Sequence, residues 1–493
     1  MAQRFWTRWQ AALALWSRDV QDDLFRFAVI KILGLQDPDG RLTGEQELTK
    51  RDGELAALGI RLMLEFEPLR ESAAREAKLV EGHMRIAYSV PKHRQYLRGG
   101  TSSEPVLAEA AARIMNNMPA LLTTITGYLK HGLISKGERG ELVARLLLTL
   151  AHDECVKFDY RKADEAQYSR PVPVFDFLTA LVGPTHMKVI LESRPDNVHD
   201  GVTFEEAFKD AKVNFTHFVK GNDSSIITDN AAWVALSRCM AFQCANGQWM
   251  IDLYIPVLLW DEPLGRYVVS GIFIQIKNQL KKQPVEIDAT QLEFFTDPPA
   301  GHVEFTRYNE RPYIAIVMHL GIQPGSMNGL ATENKVSENE ATGNDPEASA
   351  WIPPQSSSTT TPSYLNIETD KSAHPRYAIT IVGCSNAVYN VIEKEDEDKF
   401  ATLITSRDIV DEHPRQGDSF IRGVLRLKPY WTMQAQSFHW ATSDGDKTGG
   451  GPRQKFVEGV YVATPLGDRV GKDGANHTKD DAKRNNDNSM TVD

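Results

Sequence analysis

The sequence of 493 residues has few cysteines, no long hydrophobic run and no excess of positive charge. Its four cysteines are scattered, which excludes a disulfide-stapled scaffold and favours a reducing compartment. No run of 18 apolar residues occurs, so we expect no membrane-spanning helix. A net charge of −11 excludes a histone-like polycation. We therefore expect a soluble intracellular protein, cytoplasmic or nuclear, in which nucleic-acid binding would be a property of one face.

Several common catalytic signatures are also missing. The sequence contains no phosphate-binding loop with Lys followed by Ser or Thr, no Gly-x-Ser-x-Gly elbow and no His-Glu-x-x-His helix. These absences argue against P-loop nucleotide hydrolysis and against two common hydrolase classes. His152, Asp153 and Glu154 could each bind a metal, but consecutive helical residues point in different directions. We interpret these three residues as the polar edge of a helix.

The chain divides into two successive regions that differ in residue composition and in the spacing of apolar residues. Residues 1–200 are predicted to be mostly helical, because Leu, Ala and Met recur at three- and four-residue spacing. Residues 1–18 carry three arginines and no acid, which suits either a targeting segment or the start of an amphipathic helix. From residue 201 aromatic and β-branched residues increase, with helices expected at 204–218 and 230–240. Strands are expected at 250–259, 268–276 and 313–319.

Two polar segments interrupt and end the second region. Residues 323–374 are rich in Ser, Thr, Asn and Glu, and residues 441–493 are rich in Gly, Asp, Lys and Asn, so neither segment can bury enough apolar surface to fold. We predict that both are disordered. The fold class is therefore α+β: a helical region at 1–200, then a mixed sheet domain in two parts, 201–322 and 375–440. The second part is expected to open with a strand entering a helix from Tyr377.

Polar residues interrupt two otherwise apolar strands that form a predicted hairpin. Asp252 lies between Ile251 and Leu253, and Gln275 and Lys277 share one face of the next strand because alternate side chains point the same way. Acids and lysines are rarely buried without a partner. We therefore expect a cross-strand pair of Asp252 with Lys277.

These residues resemble the core of the PD-(D/E)XK nuclease superfamily, in the variant where Gln replaces the acid before Lys. The resemblance covers residues 228–319 and includes the helix and strand that precede the hairpin. It implies a nuclease-type sheet around the two strands. Residues 202–431 also resemble a group of uncharacterised proteins from mushroom-forming fungi, which implies no established activity.

The nuclease resemblance implies a Mg²⁺ site and a catalytic lysine. Asp252 and Gln275 would hold the ion, which polarises the scissile phosphate, and Lys277 would position and help deprotonate the attacking water. Gln carries no charge, so a further acid is expected. Family members often supply a Glu from the helix before the sheet, but residues 230–240 contain no acid. The candidates that remain are Asp229, Glu205 and Glu206.

A second feature lies in the helical region, where residues 85–100 interleave cations with tyrosines and contain no acid. Cations for phosphates and rings for stacking are what contact with a single strand requires. The candidate nucleic-acid-binding residues are Arg85, Lys92, Arg94 and Arg98. The alternative is a solvated loop beside helices.

Two hypotheses from different classes therefore arise. The first is a Mg²⁺-dependent phosphodiesterase acting on DNA or RNA, with Asp252, Gln275 and Lys277 in its site. The second is a catalytically inactive module on the same fold, which binds a protein partner or a nucleic acid. Neither hypothesis involves a membrane.

Overall fold

Helices form most of the described chain before the main sheet. The computed structural model describes residues 18–35, 44–66, 70–90, 92, 97–101, 103–130, 139–158, 167–278, 285–296, 310–321, 374–404 and 458–465. The helices of the first region are α1 (Arg18–Leu33), α2 (Gly44–Leu62), α3 (Arg70–Gly82), α4 (Pro105–Asn116), α5 (Leu121–Lys130), α6 (Arg139–Phe158) and α7 (Val174–Glu192). The helices that follow are α8 (Phe204–Phe208), α9 (Asp229–Ser237) and α10 (Glu397–Ile404).

The described strands form a small hairpin and one large mixed sheet. The hairpin pairs β1 (Ile86–Ser89) with β2 (Arg98–Gly100) in antiparallel orientation. The strands of the sheet are β3 (Val172–Pro173), β4 (Lys212–Val213), β5 (His217–Lys220), β6 (Met240–Gln243), β7 (Leu253–Leu258), β8 (Val269–Lys277), β9 (Tyr313–His319), β10 (Arg376–Val382) and β11 (Gly459–Val462). The predicted combination of α and β structure is confirmed.

The centre of the sheet is the run β7, β8, β9 and β10. Strands β7 and β8 are antiparallel, with Leu253 opposite Ile274, so the predicted hairpin forms. Strands β8, β9 and β10 are parallel. On the other side of β7, strand β6 pairs with it in antiparallel orientation and carries β5 as a parallel neighbour. Strands β4 and β3 also extend the sheet from β7.

The sheet is buried on both faces. Ile272, Ile274 and Ile276 of β8 belong to the hydrophobic cluster that the helical layer shares, whereas Phe273 belongs to a second cluster with residues of α9 and the segment 285–296. This division follows from the alternation of side chains along a strand. The boundary predicted at residue 200 thus falls inside a core that the helices and the sheet have in common.

Helix α7 is the one described helix long and apolar enough to cross a membrane. Its buried residues, including Phe177 and Ile190, join the helical-layer cluster. Gly183 has a positive φ of 80° and Pro184 follows it, so the helix is kinked in the middle. Its apolar character is accounted for by this packing.

Three predicted elements differ from the structure. The helix expected at 204–218 ends at Phe208, because the chain after it turns into β4 and β5, which pair with β7 and β6. The strand expected from Tyr377 forms, but Gly383, with φ 108°, ends it in turns instead of a helix. The prediction that residues 441–493 lack structure is wrong at β11, where alternate apolar residues pair with β10.

Several predictions fall outside the described residues. These concern the targeting segment over residues 1–17, the disorder of residues 323–373, and the continuation of the sheet domain beyond residue 404.

The interpretation of residues 152–154 as a polar edge is wrong for two of the three. The side chains of His152 and Asp153 are fully buried, and Glu154 alone is exposed. Arg61 of α2 donates to Asp153 over 2.8 Å, and Asn116 of α4 donates to its second oxygen over 2.6 Å. Burial alone would raise the pKa of Asp153, but the charge and hydrogen bond of Arg61 outweigh it and hold the pKa below its usual value.

We expect Asp153→Asn to lower the free energy of unfolding by about 3–5 kcal/mol, because it leaves the buried Arg61 without its counter-charge. Glu154→Gln is the matched control on the same helix. Among the described residues Glu154 pairs with Lys157 alone, at the surface, so its loss should cost about 1 kcal/mol or less. Urea unfolding at neutral pH measures both. Equal stabilities for the two variants would contradict a supporting role for the Arg61 pair.

Candidate functional site at the carboxyl edge of the sheet

Strands β5, β6, β8, β9 and β10 run in the same direction, so their carboxyl ends meet at one edge of the sheet. We call this edge the carboxyl edge. In open sheets with parallel strands, ligands commonly bind at this edge. The last residue of four of these strands is polar: Lys220, Gln243, Lys277 and His319. The antiparallel strand β7 starts here, which brings Asp252 to the same place.

Asp252 and Gln275 are joined directly across the edge. Gln275 Nε2 donates to Asp252 Oδ2 over 2.5 Å, and the backbone N–H of Ile276 donates to the same oxygen over 2.6 Å. The backbone of Asp252 is held on both sides, because its N–H donates to Ile274 and its carbonyl accepts from Cys244. The carboxylate is thus fixed in position by two neighbouring strands.

Lys277 lies on the same face but does not form the predicted ion pair. No contact within 4.0 Å joins its ammonium to Asp252 in the part of the chain that the structure describes. The register explains this, since Asp252 lies opposite Gln275 and Lys277 is two residues further along, about 7 Å away. The partner of Asp252 is therefore a neutral amide, and Lys277 acts on it only at longer range.

The electrostatics of Asp252 follow from this placement. Burial raises the pKa of its carboxyl above the usual value, and the Ile276 N–H, the Lys277 charge and the Gln275 amide offset that effect only in part. Acids with raised pKa values are common at functional sites, although structural groups can show them too. The neighbours of Asp252 thus offset only part of the cost of ionising its carboxyl.

The acids expected to complete a metal site lie elsewhere. Asp229 accepts from Arg266, Arg311 and both the N–H and the hydroxyl of Thr296, so its two oxygens are fully occupied. Both arginines precede strands β8 and β9, at the amino ends. Asp229 is therefore separated from Asp252 by most of the length of the sheet.

Glu205 and Glu206 lie on α8, also away from the carboxyl edge. Glu206 closes a capping box with Thr203 and lines a cavity with Pro312 and Pro375, which precede β9 and β10. The structure therefore brings Asp252, Gln275 and Lys277 together, and places the three additional acids at other positions.

The residues at the edge can still offer ligands to a hard cation. Asp252 Oδ1 and Gln275 Oε1 accept no hydrogen bond within the described part of the chain. Mg²⁺ commonly retains several waters and takes one or two carboxylates together with substrate phosphates. No group of three His, Cys, Asp or Glu side chains occurs among the described residues. The donor set thus fits a weak site that a substrate phosphate would complete.

The basic segment at residues 85–100 divides into buried and exposed cations. Arg85 is buried, pairs with Glu76 at 3.1 Å and stacks on Phe66, so it supports the β1–β2 hairpin. Lys92 and Arg98 are exposed. Arg94 lies outside the described residues. Only part of the predicted nucleic-acid-binding set is thus placed to meet a ligand.

A groove of about 770 Å³ lies between this hairpin and strand β5. Its lining includes Tyr88 and Arg98 from the hairpin, Lys220 at the end of β5, and Asn246 from the loop that joins β6 to β7. The groove therefore opens at the carboxyl edge, on the β5 side of Asp252.

Sequence reasoning missed Lys220 and the loop between β6 and β7. Lys220 gives no local signal, because only the pairing of β5 with β6 brings it to the edge. The Asn246-Gly247 pair does signal a turn, and Trp249, two residues after Gly247, is an unusual residue for a turn. These two signals together could have identified the loop as part of a candidate site from the sequence.

Residues 47–292 are similar to a family described as a domain of unknown function (DUF8736). The matched region is just under half of the chain and runs from α2 to the segment after β8, so it includes Asp252, Gln275 and Lys277. That description assigns no activity. No curated protein and no solved structure matches the chain.

The raised pKa of Asp252 predicts how its replacement affects stability. Because the folded pKa lies above the unfolded one, the penalty for ionisation is absent below the unfolded pKa, grows as pH rises between the two values, and is complete above the folded pKa. We expect Asp252→Asn to be at least as stable as the wild type at neutral pH, with this difference vanishing at about pH 3.

Urea unfolding at the two pH values measures this effect. Asp261→Asn is the control, because Asp261 is exposed and its one ion pair within the described ranges is with Lys212 at the surface. A marked loss of stability in Asp252→Asn at neutral pH would contradict this prediction, because it would show that the ionised carboxylate stabilises the fold.

Proposed function

We propose that the carboxyl edge is a Mg²⁺-dependent phosphodiesterase site acting on DNA or RNA, with Asp252, Gln275 and Lys277 as its working residues. The observation that carries the proposal is the direct contact of Asp252 with Gln275 on adjacent strands, with Lys277 on the same face. A helix and a strand, α9 and β6, precede these strands in the order that the nuclease resemblance implies.

Each residue has a role that its chemistry allows. Asp252 and Gln275 would hold the ion through their oxygens, and the ion would polarise a phosphodiester and lower the pKa of water. Lys277 has no acidic partner within 4.0 Å among the described residues. Its ammonium can therefore contact a phosphate oxygen, or orient the attacking water through a hydrogen bond.

The cleavage assay uses full-length protein with labelled single-stranded DNA, RNA and duplex DNA, in Mg²⁺ or Mn²⁺. We expect cleavage that EDTA abolishes and that Asp252→Ala and Lys277→Met each reduce at least 100-fold, because each removes a group that contacts the reacting phosphate or its ion. Lys212→Met is the control, since Lys212 lies in a surface pair with Asp261. No cleavage of any substrate, or equal rates in all variants, would refute the proposal.

A second variant tests the weak metal site directly. Gln275→Glu places a second carboxylate against Asp252, so we expect the metal-free variant to be less stable than the wild type. Mn²⁺ should bind it more tightly and restore its stability, because two carboxylates attract a hard cation more than one does. Calorimetric titration with Mn²⁺ and thermal unfolding measure this without any substrate. Unchanged Mn²⁺ affinity would argue against a metal site here.

One observation favours a second function, a non-catalytic nucleic-acid-binding module on the same fold. Asp252 Oδ2 is already satisfied by Gln275 and the Ile276 N–H, and none of the expected acids Asp229, Glu205 and Glu206 lies beside it. Such a module would bind nucleic acid at this edge without cleaving it. Binding that persists in EDTA, with no cleavage in Mg²⁺ or Mn²⁺, would identify this function.

A further inference from the structure

The loop that joins β6 to β7 presents a tryptophan to solvent beside the candidate site. Trp249 is 63% exposed, although it lies only three residues before Asp252. Exposed tryptophans are uncommon on protein surfaces outside contact sites, since the ring is large and mostly apolar. The exposure of this ring therefore indicates a contact with a ligand, since the described part of the chain leaves the ring open to solvent.

The loop holds this ring by its backbone. Gly247 and Met250 have φ values of 77° and 69°, and Met250 is not a residue that favours this left-handed region. Ile251 is fully buried and anchors the loop to the core. The Ile251 N–H donates to the Trp249 carbonyl over 3.0 Å. A turn that is strained and anchored in this way keeps the ring outside the core.

A second exposed ring lines the groove itself. Tyr88 is 60% exposed, and its hydroxyl donates to the Thr101 carbonyl over 3.0 Å. Its ring lies against Gly100, where a Cβ atom would stand 2.4 Å from a ring carbon. Glycine at this position lets the ring approach the hairpin backbone this closely. Tyr88 is thus held against the hairpin while most of its side chain stays open to solvent.

The loop that carries Trp249 also contributes to the groove that Tyr88 lines. Asn246 lines the groove together with Tyr88, and the same loop continues through Trp249 to Asp252. Lys220 of β5 lies two strand spacings, about 10 Å, from the start of β7. A chain of a few nucleotides can span this distance, because known single-strand sites cover about 4–16 nucleotides.

The charges of the groove indicate what holds such a ligand. Lys220 pairs with Glu65 at 2.5 Å, and Arg85 pairs with Glu76, so these cations are already neutralised. Within the described chain, three cations of the hairpin and the carboxyl edge have no acidic partner within 4.0 Å: Lys92 between β1 and β2, Arg98 in β2 and Lys277 at the end of β8. Stacking on rings should therefore contribute more to binding than phosphate pairing does.

We propose that Trp249 and Tyr88 are stacking positions for the bases of single-stranded nucleic acid, which lies along the groove and reaches Asp252 and Lys277. This proposal deepens the proposed function and rests on it for the nature of the ligand. Duplex should bind more weakly, because its bases are already stacked within the helix and cannot lie on these rings.

Fluorescence anisotropy with the full-length protein tests this in EDTA, where cleavage cannot interfere. The probes are a labelled 12-nucleotide DNA, the RNA of the same sequence and the DNA duplex. We expect both single strands to bind more tightly than the duplex. Trp249→Ala and Tyr88→Ala should each weaken single-strand binding about fivefold or more, and Trp249→Phe should weaken it less because it keeps a ring.

The matched control is Phe27→Ala, which removes a ring that is 55% exposed on α1, on a separate element. It should leave affinity unchanged, and thermal unfolding should show that all variants are folded. Because about three unpaired cations are available, the logarithm of affinity should fall against the logarithm of salt concentration with a slope of about −2.

Equal losses in Trp249→Ala and Phe27→Ala, tighter binding of duplex, or no binding of single strands would overturn the proposal. The cleavage assay separates it from the proposed function. Ring-dependent binding without cleavage would refute only the phosphodiesterase. Cleavage that depends on Asp252 but not on either ring would refute only the stacking positions.

Discussion

Strand β8 is buried on both faces, and this constraint organises the rest of the structure. From Val269 to Ile276 the apolar side chains divide between two hydrophobic clusters, with the helical layer on one face and α9 on the other. Polar side chains are therefore largely confined to the end of the strand. The same holds for its parallel neighbours, so polar residues collect at the ends of the strands because the interior of the sheet excludes them.

The buried acids of this protein differ in how their charge is balanced. Asp153 and Asp229 each lie against a buried arginine, Arg61 and Arg311. Asp252 has a neutral amide and a backbone N–H instead, and its pKa is raised where that of Asp153 is lowered. The first two acids join separate elements of the fold. Asp252, by contrast, pairs with no cation within 4.0 Å in the part of the chain that the structure describes.

The β1–β2 hairpin and the helical layer lie beside the carboxyl edge, on the side of β5. Arg85 looked like a phosphate contact because it lies among cations and tyrosines, but the fold uses it to join the hairpin to α3 through Glu76. With this anchor in place, Tyr88 and Arg98 face the groove instead of the core. The helical region and the sheet thus contribute to one surface, as their common core allows.

The local sequence pattern predicted the structure correctly where the side-chain periodicity within each element decides it. Alternation of apolar and polar residues predicted the β7–β8 hairpin and the shared face of Gln275 and Lys277, and strand β9 forms over the predicted residues. The local pattern gave the wrong structure where pairing with a distant strand decides it. The chain after Phe208 became strands because β6 and β7 offered unpaired edges, and β11 formed in a polar tail for the same reason.

The sequence by itself determined the α+β class and the polar residues that interrupt the central strands, because both follow from side-chain periodicity within one element. Only the tertiary structure decided that Asp252 contacts Gln275 instead of Lys277, since this depends on the register between two strands. It also decided that Asp229, Glu205 and Glu206 lie away from the edge and that Trp249 lies beside it. Distances between elements depend on packing, which no single stretch of sequence records.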